Sequence, residues 1–197
     1  MARVRQTEPG RRFAVDKHGK EITDEGGRML RRSRSSDLLI AVLVAVLLAT
    51  VVRMNFYAPY KVYGNSMFPT LQGNELLIVN KWIYDQRSPS YGDIIVFHTK
   101  EDRDFIKRVI GLPGDDICIR EGYVWRNGKK LRESYIPSKI RGDYPNTRVP
   151  PGHLFVLGDN RNFSRDSREI GMVDVEKVVG RAEIVLYPLD RFQLLIR

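Results

Sequence analysis

The sequence predicts an all-β domain of antiparallel sheets preceded by one N-terminal transmembrane α-helix, and three observations predict it. An unbroken apolar run, LLIAVLVAVLLATVV at 38–52, follows a basic leader. From Tyr60 onward helical periodicity gives way to short β-rich runs separated by turn signals. The 197 residues and 42% hydrophobic content suffice for one core, so one domain plus appendages is the expected organisation.

The leader comes first. Residues 1–36 hold ten basic and five acidic side chains, which supplies +5 of the net +9. A sequence pI near 9.8 admits nucleic acid or anionic lipid as a partner. The excess lies directly before the apolar run, as a cytoplasmic flank does, and it lacks the interleaved aromatics of a nucleic-acid platform. Without the tail only +4 remains over the other 161 residues, so no nucleic-acid partner is expected. The polar, arginine-rich tail is expected to be flexible.

As a helix, 38–52 is about 23 Å long at 1.5 Å per residue, short of the ~30 Å of a bilayer core. Continuation through Arg53, Met54, Asn55, Phe56 and Tyr57 meets the difference, with Arg53 snorkelling to the far interface and Pro59 ending the helix. A buried core helix or a cleavable signal peptide has the same run length. Against the signal peptide, the basic region is too long, and Arg-Met-Asn-Phe-Tyr follows Val52 where a small-x-small cleavage pattern belongs. The expected order is a cytoplasmic tail at 1–36, a transmembrane helix at 37–57 and an extracytoplasmic domain at 58–197, single-pass in the cell membrane with the lipid bilayer as a partner.

Strands are expected at LLIV (76–79), DIIVF (93–97), DFIKRVI (104–110), DICI (116–119), HLFVL (153–157) and AEIVLY (182–187). Turns are marked by Tyr91-Gly-Asp93, Leu112-Pro-Gly-Asp115 and Arg126-Asn-Gly128, the last a tight hairpin between GYVW and KKLRE. The polar, proline-bearing stretch 132–152 reads as a surface excursion between two halves of the sheet. Cys118 is the only cysteine, so no internal disulfide forms, and its setting is that of a small core residue. His18, His98 and His153 are scattered without ligand spacing, so neither a metal nor another cofactor is expected.

Three segments carry chemistry. In Gly64-Asn-Ser-Met-Phe-Pro-Thr-Leu71, glycine and proline hold Ser66 in a constrained turn, which makes it the candidate nucleophile. A serine in a turn is more often a capping residue, so something must take its proton. In Asp104-Phe-Ile-Lys-Arg-Val-Ile-Gly-Leu-Pro-Gly-Asp115, strand alternation sets Lys107 on one face with Phe105 and Val109. Burial there disfavours the ammonium, and a neutral lysine acts as a general base where the guanidinium of Arg108 cannot. A lysine at a strand edge facing water is the bland alternative. In Leu157-Gly-Asp-Asn-Arg-Asn-Phe-Ser-Arg-Asp-Ser-Arg-Glu-Ile-Gly171, Asp159, Asn160 and Asp166 are expected to satisfy backbone amides and pair with Arg161 or Arg168, setting Ser164 where a lysine meets it.

These three segments, together with YGDIIVF at 91–97, resemble the boxes of the bacterial type I signal peptidases in that family's order, over about Tyr57 to Leu186, and the single span resembles the compact Gram-positive members. The resemblance implies a serine endopeptidase. Ser66 is then the nucleophile, Lys107 the base for both acylation and deacylation, Ser164 a hydroxyl orienting the lysine, and Asp166 and Arg168 a supporting ion pair. It implies secreted preproteins as substrates, cut after small residues at the first and third positions, bound as a strand between the stretch before Ser66 and the strand of Lys107, with Met67 as a pocket wall. The family's side-chain oxyanion donor two positions before the nucleophile is missing, because Gly64 stands there. A self-cleaving repressor-type Ser/Lys peptidase and a catalytically silent membrane-tethered module are the rival readings. The span disfavours the first, and the intact Ser66, Lys107 and Ser164 disfavour the second.

Overall fold

The computed structural model describes residues 34–195; most of the basic tail therefore lies outside the described residues. The first element is helix α1 (Arg34–Phe56), with Asp37 in its first turn, where an acidic side chain meets the positive end of the helix dipole. Leu38, Leu39, Ile40, Leu43, Leu47 and Val51 are all exposed, so its apolar surface is not confined to one stripe. Among the described residues no helix is long and apolar enough to cross a membrane. The Arg53 side chain, expected to snorkel, lies outside the described residues.

A compact unit from Leu47 to Arg197 holds two antiparallel sheets. Helix gives way to strand at Tyr57, earlier than Pro59: β1 (Tyr57–Lys61) carries that proline within it, which an edge strand tolerates because one side needs no amide donor. The chain continues through β2 (Leu76–Asn80), a short α2 (Ile83–Gln86), β3 (Ile94–His98) and β4 (Asp104–Gly111). Next come β5 (Asp116–Arg120), β6 (Tyr123–Arg126), β7 (Lys129–Lys130) and β8 (Tyr144–Arg148), which form the smaller sheet in the order β7-β6-β5-β8. The chain ends with β9 (His153–Leu157), the short α3 (Ser167–Ile170), β10 (Val173–Asp174), β11 (Val178–Tyr187) and β12 (Gln193–Leu194). The larger sheet runs β1-β2-β11-β3-β4-β9-β10, with β12 on β11.

The centre of this sheet is buried on both faces, and the sequence pattern follows. In β3, Ile94 and Val96 enter one apolar cluster with Leu71, Leu77 and Val79, while Ile95 and Phe97 enter another with Val109, Leu154 and Val156. That is why DIIVF reads as an unbroken apolar run instead of an alternation. Full burial of each such side chain contributes about 1.5–3 kcal/mol. A third cluster, containing Ile110, Ile117, Val124 and Phe155, packs the small sheet against β4 and β9. Its β6–β7 hairpin turns at Asn127 (φ 51°) and Gly128 (φ 74°), the paired left-handed conformation that favours Asn-Gly.

Two expectations are corrected. The stretch 132–152 is not wholly a surface excursion: it supplies β8, which pairs antiparallel with β5, and buries Ile140 and Val149. Cys118 is half-buried instead of core, because the register of β5 turns Ile117 and Ile119 inward and leaves Cys118 on the opposite face beside Trp125.

Candidate active site

Ser66 sits in the loop between β1 and β2. Val62 donates its amide to the Glu75 carbonyl at 2.8 Å and accepts from the Asn74 amide at 2.9 Å, which closes the loop at its base. Gly64 has φ +76°, a left-handed conformation that disfavours a side chain. The turn beyond Ser66 drives Met67 into the core beside Val62 and Leu71, 2% exposed. Met67, expected as a pocket wall, is thus placed at the apolar cluster directly beside Ser66.

Lys107 faces Ser66 from β4. Its partner on β3 is Ile95, and β9 takes up pairing with β4 from Arg108 onward, so Lys107 stands just before the strand becomes enclosed on that side. The amine, in a residue 4% exposed, donates to Ser66 Oγ at 2.9 Å and to the Ile106 carbonyl at 2.9 Å, with the Phe105 ring centre 5.0 Å away. Burial pushes Lys107 down to about 8, against the upward pull of the Asp166 and Asp159 carboxylates. The neutral form, the one that accepts a proton, is thus populated far closer to neutrality than for a solvated lysine.

The loop after β9 supplies the rest. Asn160 ties this loop to the nucleophile: its amide donates to the Ser66 carbonyl at 3.0 Å and its side chain to the Asn65 carbonyl at 3.1 Å. Asp166 caps α3 and, fully buried, accepts from the Gly158 amide at 3.0 Å and from Arg168 Nε at 2.8 Å, the ion pair expected from the sequence. Asp159 does not pair with Arg161 or Arg168. It takes both prongs of Arg108, at 2.8 and 2.6 Å, and the Thr70 hydroxyl at 2.5 Å. Arg161, 1% exposed, pairs instead with Glu133 at 2.8 and 2.6 Å and donates Nε to the Gly158 carbonyl. Tyr135 completes the group: its hydroxyl donates to Glu133 at 2.7 Å, and its ring lies 4.1 Å from the Arg108 guanidinium.

Ser164 was expected on the lysine, and the structure does not bring its hydroxyl there. Its Oγ is buried with no hydrogen-bond partner among the described residues. The side chain packs on Gly158, where an added β-carbon would lie 2.1 Å from Ser164 Oγ and 2.5 Å from the Ser66 carbonyl oxygen. Ser164 and Ser66 thus converge on one face of a glycine that has to be a glycine. The lysine is held by the Ile106 carbonyl in its place. Thr70, Arg108, Glu133 and Tyr135 were not identified from sequence as members of this assembly. Thr70 and Arg108 lie within the recognised segments, whereas Glu133 and Tyr135 lie in a stretch read as surface.

Together these groups set a serine hydroxyl against a buried lysine amine, braced by buried carboxylate–arginine pairs. The family described as "Signal peptidase, peptidase S26" matches residues 35–187. Signal peptidase I of Bacillus caldolyticus is 42% identical over 163 residues, covering 76% of this chain and 90% of that protein. Signal peptidase I P of Bacillus subtilis subsp. natto is 37% identical over 175 residues, covering 83% and 95%. A crystal structure of a signal peptidase I from Enterococcus faecalis V583 aligns with a TM-score of 0.45 at 33% identity, covering 48% of this chain and 97% of that one.

Proposed function

The chain belongs to the peptidase S26 signal peptidase family, and from that membership we propose that it removes N-terminal signal peptides from secreted preproteins with Ser66 as nucleophile and Lys107 as general base. The observation that carries the assignment is the 2.9 Å contact between Lys107 Nζ and Ser66 Oγ in a site where burial lowers the lysine to about 8. As Ser66 Oγ attacks the scissile carbonyl, its proton passes to the neutral amine. The resulting ammonium returns that proton to the leaving amine of the mature protein, leaving an acyl ester on Ser66. The amine, neutral again, deprotonates a water that hydrolyses the ester and frees the signal peptide as a carboxylate. The Ser66 amide is assigned to the developing oxyanion, without a side-chain donor from Gly64.

Ser164 is assigned to the working state. A buried hydroxyl without a partner is uncommon, and active-site hydrogen bonds often tighten only when substrate is bound, so its bond to the lysine is reserved for that complex. The substrate is assigned to the gap between β1 and the first half of β4, as an added strand with small residues at the first and third positions before the cut. Two contacts support this seat. Tyr60 of β1, raised by burial and further by Asp104, reaches the start of β4, and Tyr60 and Ile106 pack on the same apolar cluster.

The helix α1 is assigned as a single membrane anchor, with the tail in the cytoplasm and the sheets on the far side. Its exposed leucines and valines need an apolar cover, and an apolar stretch shorter than a bilayer core still anchors a chain when its flanking residues reach the interfaces. The test is cleavage of a purified preprotein by the detergent-solubilised chain, with the cut mapped by mass spectrometry. Cleavage after a small-x-small motif, absent in Ser66→Ala, is expected; a folded, lipid-bound chain that cuts nothing contradicts the assignment.

A further inference from the structure

The chain beyond residue 36 carries its charge unevenly. Residues 116–148 hold eight basic and four acidic side chains, an excess equal to that of the whole chain beyond residue 36. The register of the small sheet sorts them. Ile117, Ile119 and Val124 turn inward, while Arg120 opposite Tyr123 and Trp125 opposite Lys130 stand on the other face. There aromatic rings hold the cations in place. The Arg120 guanidinium lies 4.0 Å from the Trp125 ring centre, and the Lys130 and Lys139 ammonium groups lie 3.1 and 5.4 Å from that of Tyr123. Arg120, Lys130, Lys139 and Arg141 are exposed, and among the described residues none of the four has a carboxylate partner.

This patch runs into the loop that holds the nucleophile. Two residues beyond Asn160, Asn162 accepts the Arg141 amide at 2.7 Å and donates to the Lys139 carbonyl at 2.9 Å. Between them Ile140 is buried, with its amide on the Gly122 carbonyl at 3.1 Å, so the segment is fixed to the small sheet and to the loop at once. Arg141 then lines a cleft of about 390 Å³ with Phe163, Ser164 and Arg168. A polypeptide that leaves Ser66 past Asn160 therefore meets a cleft lined by Arg141, Arg165 and Arg168, with Glu169 its one carboxylate, and beyond it the patch.

We propose that Arg120, Lys130, Lys139 and Arg141 form an exosite for acidic residues of the mature part of the preprotein. The inference rests on the signal peptidase reading, and that reading fixes which side of the cut is engaged. A signal peptide is basic at its start, apolar through its body and small-residued at its end, so acidic side chains lie beyond the cut. An anionic lipid surface fits less well. Interfacial sites bury apolar side chains, and none of the exposed large apolar residues falls within 116–148.

The test uses the full chain in detergent and two substrates that share one signal peptide and cleavage site but carry an Asp-rich or a Ser-rich mature segment. KM and kcat are measured at low and high salt for the native chain and for the combined variant Lys130→Ser, Lys139→Ser, Arg141→Ser. At low salt KM for the Asp-rich substrate is expected about five- to tenfold below that for the Ser-rich one, as a few exposed ion pairs supply. The difference disappears at high salt and in the variant, whose kinetics on the Ser-rich substrate match the native chain's. Equal KM values for the native chain, or a preference that survives in the variant, overturn the exosite. Equal KM values joined to weaker flotation of the variant with phosphatidylglycerol vesicles assign the patch to lipid and likewise overturn it. A native chain that cuts neither substrate sinks the peptidase reading itself, an outcome distinct from cutting both alike.

Discussion

A lysine that acts as a base has to be buried and held in place, and the structure buries and holds Lys107. Burial lowers the amine to about 8, while Asp159 and Asp166 pull it back up; each carboxylate is itself occupied by an arginine, Arg108 and Arg168 respectively, which limits that pull. The sign for stability follows. The folded state holds fewer protons on this group than the unfolded chain between about 8 and the ordinary lysine range, so stability rises with pH through that window and the penalty is felt in full below it. Lys107→Met therefore removes activity yet raises the denaturant midpoint at pH 7, by about 1–3 kcal/mol of stability. Ser164→Ala divides differently. Its hydroxyl has no partner in the resting state, so the melting temperature stays within a degree or two of the native chain's, while kcat falls by about tenfold or more through loss of a bond made with substrate bound. An unchanged kcat assigns Ser164 to packing alone.

At the scale of elements, the site is a meeting of one strand and two loops, held by pairs that are remote in sequence. Arg108 and Asp159 are 51 positions apart and Arg161 and Glu133 are 28 apart. Sequence reading reached what is local: a turn around Ser66, alternation that buries Lys107, and a polar loop in which Asp166 reaches Arg168 two positions on. It could not choose among several arginines for Asp159, because that choice is made by β4 and β9 coming together. Nor could it find β8, whose sequence, Tyr-Pro-Asn-Thr-Arg, has little intrinsic strand preference and gains its conformation from pairing with β5. Two substitutions test the joints. Glu133→Ala leaves Arg161 buried without its carboxylate, 1% exposed, and is expected to cost about 3–5 kcal/mol, a melting-temperature loss of roughly 10 °C by calorimetry. Gly158→Ala puts a methyl group 2.5 Å from the Ser66 carbonyl oxygen and 2.1 Å from Ser164 Oγ, so the nucleophile loop shifts and kcat/KM falls at least a hundredfold even where the fold survives.

At the scale of the whole molecule, the two sheets were legible as an all-β pattern because the central strands of the larger one are apolar on both faces and the hairpin of the smaller one carries Asn-Gly. Helix α1 was legible as an apolar run of residues, but a run of that kind fixes neither a span nor its direction. The assignment of α1 to the bilayer predicts that the full chain floats with lipid vesicles and resists extraction at alkaline pH, and that a protease added outside the cell reaches the sheets and not the tail. The pairing of Ser66 with Lys107 is the centre of the account, and the pH dependence of kcat/KM for preprotein cleavage tests it most directly. The native chain is expected to show a rising limb with a midpoint near 8, as the lysine loses its proton, and Lys107→Met to show no cleavage at any pH. Full activity in Lys107→Met, or a native profile that is flat across that range, contradicts it.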